Sequence, residues 1–530
     1  MKRVVFGVIA VLVFATDYTE AVAAEPRGIV RVAVTAWGGQ QFDAAADLGE
    51  PLPYVNPMFD GIIGANPDGT VSKTTGAVMD WQVARGGIEL VLQMRPGMKF
   101  HDETEATAED LAFSLQRYAA PDSNSTSRGA LRNVKEITVV SRYMVRVILN
   151  RPDAAFIPGV ALVEGDALLV KKNAYRQTEK GWALTNPDKP VGTGPYKLAR
   201  RKIGEFVEYE AFDQYWNPQR KAGFKVVHIT LVAEPSTRLS ALRTGDLDLA
   251  PLNPEQVAPA KNARLQVLGP QNAVVPMLAF FGSDTPDFLS HKLEFRKAMI
   301  LGYDKRAIVK RLYTPEIATM ATGTALFSPL SLGWDASLEA YRYSPDEAKR
   351  LLKAAGYDNG IVKVWAYPFA TVPEIPTLLE AISGYWQGLG VKIEYTPVDW
   401  PTFSRRLFSK PQQWDKRYAA HVAILTPVTR PWVLNNMNVF MLGQESGGMA
   451  AAYWNPEKIA RLRGQLAQTT TVKQLDEELR EVNRDLYQEY WADPVVFRHL
   501  PFGATSRICG WSPINGTGRQ LELSTLRPCP

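Results

Sequence analysis

The chain has 530 residues, 46% of them hydrophobic, with 60 Lys and Arg against 55 Asp and Glu. That hydrophobic share excludes a mostly disordered chain, and no periodic glycine or heptad pattern points to a fibre. A net charge of +5 without a clustered basic face gives no argument for nucleic acid, and the length fits about three domains.

Lys2 and Arg3 precede an apolar stretch from Val4 to Ala15, and small residues follow at Ala21, Ala23 and Ala24. A charged start, a short apolar stretch and an A-x-A-like site form the pattern of a secretory signal. The apolar stretch is about 12 residues, short of the roughly 20 that a spanning helix needs. Residues 1–24 are therefore predicted to be removed on export, and no cysteine near the cleavage site is placed to carry a lipid. The mature protein is expected in the periplasm, soluble and not lipid-anchored. The two cysteines, Cys509 and Cys529, lie near the C-terminus. An oxidising compartment favours a disulfide between them, worth roughly 3 kcal/mol by loop closure, although two free thiols fit the same spacing.

The first predicted strand is Ile29–Val34, followed by an irregular stretch over 35–60 rich in Gly, Pro and Asp. Alternation over 88–94 predicts a second strand. Thr107-Ala-Glu-Asp110 reads as a capped helix start, and Ile137–Val140 with Tyr143–Leu149 as paired strands. Strands at Phe206–Ala211 and Val226–Val232, a helix at Ser236–Arg243 stopped by Gly245, and a short strand at Leu247–Ala250 suggest an α/β crossover. Helices follow at Leu293–Leu301 and Arg306–Leu312. Ser344-Pro-Asp-Glu347 reads as a helix start with an N-cap serine and Pro at the first position, and Gly356 as its end. Leu378, Ile382, Trp386 and Leu389 make one helical stripe before Gly390 and a strand at Val391–Tyr395. The longest stripe is Val472, Leu475, Leu479, Val482, Leu486 and Tyr490.

Catalytic and metal signatures are missing. The five histidines, His101, His228, His291, His421 and His499, include no i, i+4 pair, and no C-x-x-C occurs. His101-Asp102 sits where adjacent side chains of an extended chain point apart. Gly443 to Gly447 has the wrong spacing for a nucleophile elbow. Gly64 and Gly69 are followed by Thr70 and not Lys, which makes them a turn and not a P-loop. Gly192-Thr-Gly194-Pro195 lacks an amide donor at Pro195 that a phosphate loop would use. No enzymatic activity, cofactor or metal is expected.

Six blocks in order resemble the family-five solute-binding proteins, the peptide- and nickel-type receptors of ABC importers. They are LQMRPGMKFHDETEATAEDLAFSLQRY over 92–118, PVGTGPY over 190–196 with Tyr215-Trp216-Asn217, LSALRTGDLDLA over 239–250, FRKAMILGYDKRAIV over 295–309, YSPDEAKRLLKAAGYDNG over 343–360, and YWNP over 453–456. One departure stands out: the family usually has Gly after F-H-D, and this chain has Glu103.

The resemblance implies an α/β fold of two hinged lobes in three regions. The first region takes 25–60, 190–272 and 493–530, the second 61–189 and the third 273–492, with hinges near 270 and 490. It implies a monomer that binds a small molecule or peptide between its lobes and delivers it to a membrane permease and ATPase. In peptide-binding relatives a Trp opens a helix on the second lobe with an Arg six or seven residues later; Trp400 and Arg406 fit that spacing. Those relatives also hold the peptide ammonium with an Asp. Pro427 stands at that position here, and Arg430 replaces a second acid. The two replacements favour an anionic small organic ligand, with a peptide as the alternative. Trp37 and Trp432 fall in the expected cleft loops, where their rings could stack on a ligand, and Asn435 and Asn436 could add hydrogen bonds. Trp216, Trp365, Trp386 and Trp454 read as scaffold.

Overall fold

The computed structural model describes residues 25–37, 42–43, 45–46, 52–123, 125, 127–162, 167–283, 285–369, 371–407, 414–441, 469, 471–514 and 522–530, with only the backbone at 52, 53, 434, 435, 438 and 439. The expected signal segment, the Y-W-N-P block and the Gly443–Gly447 stretch lie outside them, as does the side chain of Asn435.

Two α/β sheets form the frame. The first has seven strands in the order Tyr196–Lys202, Phe206–Ala211, Val226–Leu231, Ile29–Val34, Leu249–Pro251, Phe502–Ala504 and Gln266–Leu268. Ile29–Val34 lies parallel to both its neighbours, Val226–Leu231 and Leu249–Pro251. Val30, Val32, Ala33 and Val34 of this central strand are all buried, as a strand covered on both faces must be. The connection between its two neighbours passes through helix Pro235–Thr244, which ends at Gly245 with φ of 82°, a left-handed stop that glycine takes without steric cost. This is the crossover the sequence predicts.

The second sheet has five strands in the order Lys392–Pro397, Ile361–Ala366, Ala420–Leu425, Met277–Phe281 and Ala492–Pro494. Its first three strands are parallel, and Met277–Phe281 runs against them. A separate four-stranded antiparallel sheet, Val78–Ala84, Glu89–Met94, Met144–Leu149 and Val134–Ser141, buries Leu90, Leu92 and Met94 on one face, the period-two pattern of its sequence.

The motif blocks become side-chain networks. His101 faces the Gly192–Pro195 loop: its Nε2–H donates to the Gly194 carbonyl at 3.0 Å and its Nδ1 accepts the Gly192 amide at 3.2 Å. Asp102 turns away to take Thr104 Oγ1–H at 2.7 Å and to pair with Lys171. Asp60 is buried and receives Tyr215 Oη–H and Trp216 Nε1–H, both at 2.8 Å. Tyr303 and Lys305 of the G-Y-D-K block converge on Asp493, which is fully enclosed, and Lys305 also donates to the Pro494 carbonyl at 2.8 Å. Burial pushes the Asp493 carboxyl up, and Lys305 pulls it back.

Several local expectations are corrected. Helix Pro345–Ala354 starts as predicted, but Ser344 makes no side-chain cap; its amide donates to Leu301 O at 2.8 Å, and its φ of −150° holds it in an extended entry. The long helix runs Val472–Gln488 with Leu475, Leu479, Val482 and Leu486 inward. Val472 is 50% exposed because it is the first helical residue after the Thr471 cap, and Tyr490 lies beyond the helix end. Gly64–Ala65 and Val71–Ser72 pair as a hairpin around Gly69, the turn expected there. Cys509 and Cys529 are joined in a disulfide.

Candidate functional site

The two α/β sheets meet at their carboxyl edges. Gln266–Leu268 leaves the seven-stranded sheet with Leu268 paired to Phe502, the partner of Pro251. The chain then crosses and enters the five-stranded sheet at Met277, which pairs with Leu425, the last residue of a parallel strand. A second crossing returns from Pro494, also paired with Met277, to Phe502. Each crossing therefore links the end of one parallel sheet to the end of the other. In open α/β sheets the loops beyond the carboxyl ends are where ligands bind.

The crossing segments are bonded to each other and to the loop that follows strand Ala420–Leu425. Val274 bridges Arg498 on one side and Val428 on the other. Val275 N donates to Pro427 O at 2.9 Å, and Thr429 N to Ala273 O at 2.9 Å. Asn272 N donates to His499 Nδ1 at 2.9 Å, and burial holds the His499 ring neutral with a pKa pushed down to about 4. The stretch 426–432 thus lies against the crossings. Arg430 on it is buried, its carbonyl accepting Ser331 Oγ–H at 2.6 Å, and Trp432 is buried in the core at its end.

Most of the candidate residues follow the carboxyl ends of parallel strands. Trp37 stands three residues after Val34 and packs edge-on against Tyr54 at 5.6 Å between ring centres. Its Nε1–H is enclosed and meets no acceptor among the described residues. Trp400 opens helix Trp400–Leu407, just beyond strand Lys392–Pro397, and packs on Phe369 at 5.0 Å and Tyr367 at 5.4 Å. Asn436, on helix Val433–Met441, is buried and spends its Nδ2–H on Val428 O at 2.8 Å, so it holds the 426–432 loop.

Arg406 sits elsewhere. Six residues beyond Trp400, it is turned about 240° around the helix and lies about 9 Å further along it. Its guanidinium lies over the rings of Trp365 at 5.7 Å and Trp414 at 6.0 Å. Trp365 in turn donates from Nε1 to His421 Nδ1 at 3.3 Å, and His421 Nε2–H donates to Asp415 O at 3.0 Å. Burial pushes His421 down to about 4, so its ring stays neutral beside Arg406.

The structure brings a further loop to this edge that the sequence reading passed over. Tyr367 to Glu374 follows strand Ile361–Ala366, with Tyr367 Oη–H donating to Ile424 O at 2.7 Å. Glu374 accepts Arg498 Nε–H at 2.8 Å. The signal was present: a W-A-Y-P-F run ends a strand and begins a loop, the position that carries ligands in such sheets. Among the described residues no group of His, Cys, Asp or Glu is arranged to hold a metal ion, and no helix is long and apolar enough to cross a membrane.

Comparison with known proteins gives the same architecture. The substrate-binding protein CtaP of Listeria monocytogenes superposes with a TM-score of 0.80 at 17% identity over 95% of this chain and all of that one. NikZ of Campylobacter jejuni, solved with Ni(L-His), gives 0.76 at 17% identity over 95% and 100%. In sequence, the chain is 27% identical to heme-binding protein A of Haemophilus influenzae over 354 residues, which span 62% of each chain. It is 25% identical to the dipeptide-binding protein of Escherichia coli over 69% of each. The model of the bacterial extracellular solute-binding proteins, family 5 Middle, matches residues 76–441. With that match over most of its length and both carboxyl edges meeting at two crossings, the chain belongs to family 5 of the bacterial extracellular solute-binding proteins.

Proposed function

We propose that this chain is the extracytoplasmic receptor of an ABC importer. It captures an anionic, aromatic-bearing organic solute between its lobes and passes it to the permease and ATPase without chemistry. The lobes are those expected from sequence: 25–60, 190–272 and 493–530 with 61–189 on one side, and 273–492 on the other. The protein is exported after loss of residues 1–24, works in the periplasm as a monomer, carries no lipid and binds no nucleic acid.

One observation carries the ligand class. Arg430 is buried on a loop that lies against both crossings, and Pro427 on that loop leaves no carboxylate at the position where peptide-binding relatives hold an ammonium. A planar guanidinium suits a carboxylate, whereas a buried ammonium without an acid is costly. Trp37, Phe369 and Trp400 give the edge aromatic faces. The heme-binding relative, at 27% identity, agrees with an acidic, aromatic ligand. The dipeptide-binding relative, at 25%, keeps a peptide as the second reading.

The test is native mass spectrometry of the purified protein, then calorimetry with heme, aromatic and aliphatic acids, dipeptides and N-acetylated dipeptides. Arg430→Ala, Arg406→Ala and Trp400→Ala are titrated alongside. The reading expects acids to bind, acetylation to be tolerated, and Arg430→Ala to weaken binding more than Arg406→Ala. Tight binding of free dipeptides alone, indifferent to Arg430, overturns it in favour of the peptide reading.

A further inference from the structure

Two ion pairs straddle the place where the chain crosses between sheets. Arg498, 2% exposed, ends the crossing strand Val496–Arg498, which pairs with Ala318–Met320. Its backbone joins Ala273 and Val274 of the other crossing, with Ala273 N to Arg498 O and Arg498 N to Val274 O both at 2.8 Å. Its side chain reaches Glu374 and the carbonyls of Ile317 and His499. Glu374 sits at the entry to helix Ile375–Gly388, at the end of the loop that begins with Tyr367 and Phe369. The buried pair therefore connects the crossings to the aromatic loop at the carboxyl edge.

The second pair is on the surface. Lys261 belongs to helix Val257–Asn262, between two strands of the seven-stranded sheet. It reaches Glu316, two residues before the strand that pairs with Val496–Arg498. Glu316 and Ile317 are neighbours, so the surface pair and the Arg498 side chain hold the same turn from opposite partners. Lys261 sits on a helix that connects two strands of the seven-stranded sheet, and Glu316 enters the two-stranded ribbon that Ala318–Met320 makes with crossing strand Val496–Arg498, so a rotation about the crossings changes the Lys261–Glu316 separation.

We propose that Glu316 and Glu374, through Lys261 and Arg498, form a brace on the crossing segments that sets the balance of open and closed lobes in the ligand-free protein. A ligand shifts such a balance only by its differential affinity, and the starting balance then sets its apparent affinity. The brace thus tunes binding from residues that do not touch the ligand. It rests on the reading of a hinged receptor.

The experiment measures distances in the ligand-free protein by pulsed electron resonance, between spin labels at Lys180→Cys and Lys349→Cys, both exposed sites. Glu316→Gln and Glu374→Gln are compared with wild type and with Glu208→Gln. That control loses an equally direct ion pair, to Arg200, inside the seven-stranded sheet. Each brace variant is expected to change the ratio of the two populations at least about threefold, and Glu208→Gln to leave it unchanged. Molar salt should reproduce the Glu316→Gln shift in wild type, since that pair is exposed, and should not reproduce the Glu374→Gln shift. Distributions of both variants that superimpose on wild type overturn the brace. Should Glu374→Gln fail to fold, Glu316→Gln and the salt titration carry the test, and no shift in either overturns it. Failure of the receptor reading looks different: the wild-type distances then stay fixed at saturation with any compound shown to bind.

Discussion

Around Asp60 the contacts are made by side chains: Tyr215, Trp216 and Thr193 surround a buried carboxylate, and burial raises its pKa while Arg220 lowers it. Around the stretch 426–432 a row of hydrogen bonds is made to main-chain atoms. Val275 N, Asn436 Nδ2–H, Ser331 Oγ–H and Leu332 N donate to the carbonyls of Pro427, Val428, Arg430 and Pro431. The two constructions respond differently to substitution. A network of side chains fixes residue identity, since removing one member strands the others in a dry interior. A loop bonded through its carbonyls depends less on the identity of the side chains it carries. Scaffold blocks therefore stay recognisable, and positions on a loop bonded through its carbonyls, such as Pro427 and Arg430, are less constrained between receptors of one fold.

The sharpest break of this contrast is at Lys305. Lys305→Ala leaves Asp493 enclosed without its cation, and such a loss typically costs about 3–5 kcal/mol. Urea denaturation should show that fall. Arg430→Ala should behave in the opposite way. The stability loss is expected to be smaller than at Lys305, because the loop's carbonyls keep their donors, while affinity for an acidic ligand falls by about 2–5 kcal/mol in calorimetry. Equal loss of stability at both positions would erase the distinction.

The histidines offer a smaller test on the scaffold side. His101, His421 and His499 each use Nδ1 as an acceptor, from Gly192 N, Trp365 Nε1 and Asn272 N, and burial lowers all three to about 4. A histidine held below its ordinary value of 6.5 stabilises the fold fully above pH 6.5, and that contribution is lost as pH falls toward 4. Buried acids whose pKa is raised, Asp60 and Asp493 among them, act in the reverse sense, so the difference between variants is the clean measure. His421→Gln should cost on the order of 2 kcal/mol at pH 7.5, and the cost should shrink steadily between pH 6.5 and 4. A constant cost across that window would mean the ring is not held neutral.

The same contrast explains what the sequence revealed. Strand periodicity located Ile29–Val34 and Glu89–Met94, and Gly245 ended its helix, because those features depend on neighbours along the chain. Trp37 could be placed just after the first strand for the same reason, while Trp400 and Arg430 could be placed only through the resemblance to peptide-binding relatives. Arg406 could not: a six-residue spacing fixes the helix and not which rings its guanidinium covers, and those rings, Trp365 and Trp414, come from other elements. Phe369 had a signal in the W-A-Y-P-F run, but Glu374 was illegible because its importance comes from the crossing of chains more than a hundred residues apart, as in the Glu374–Arg498 pair.

The smallest effect concerns Glu103, the residue after F-H-D where the family usually has glycine. Glu103 has φ of 66° in the turn where Phe100 N meets Thr104 O and Glu103 N meets Phe100 O. A residue with a Cβ pays about 1–2 kcal/mol there, and glycine pays nothing for the geometry but loses more entropy on folding. The two terms oppose, with the strain somewhat larger, so Glu103→Gly should raise stability by about 0.5 kcal/mol. The turn itself is held by Asp102, which takes both the amide and the hydroxyl of Thr104, so the glycine has no side-chain contact to replace. The measurement is the shift of the urea midpoint at constant m-value. A lower midpoint would show that the exposed Glu103 side chain contributes to the turn, and that the departure from glycine is a gain and not a strain the scaffold tolerates.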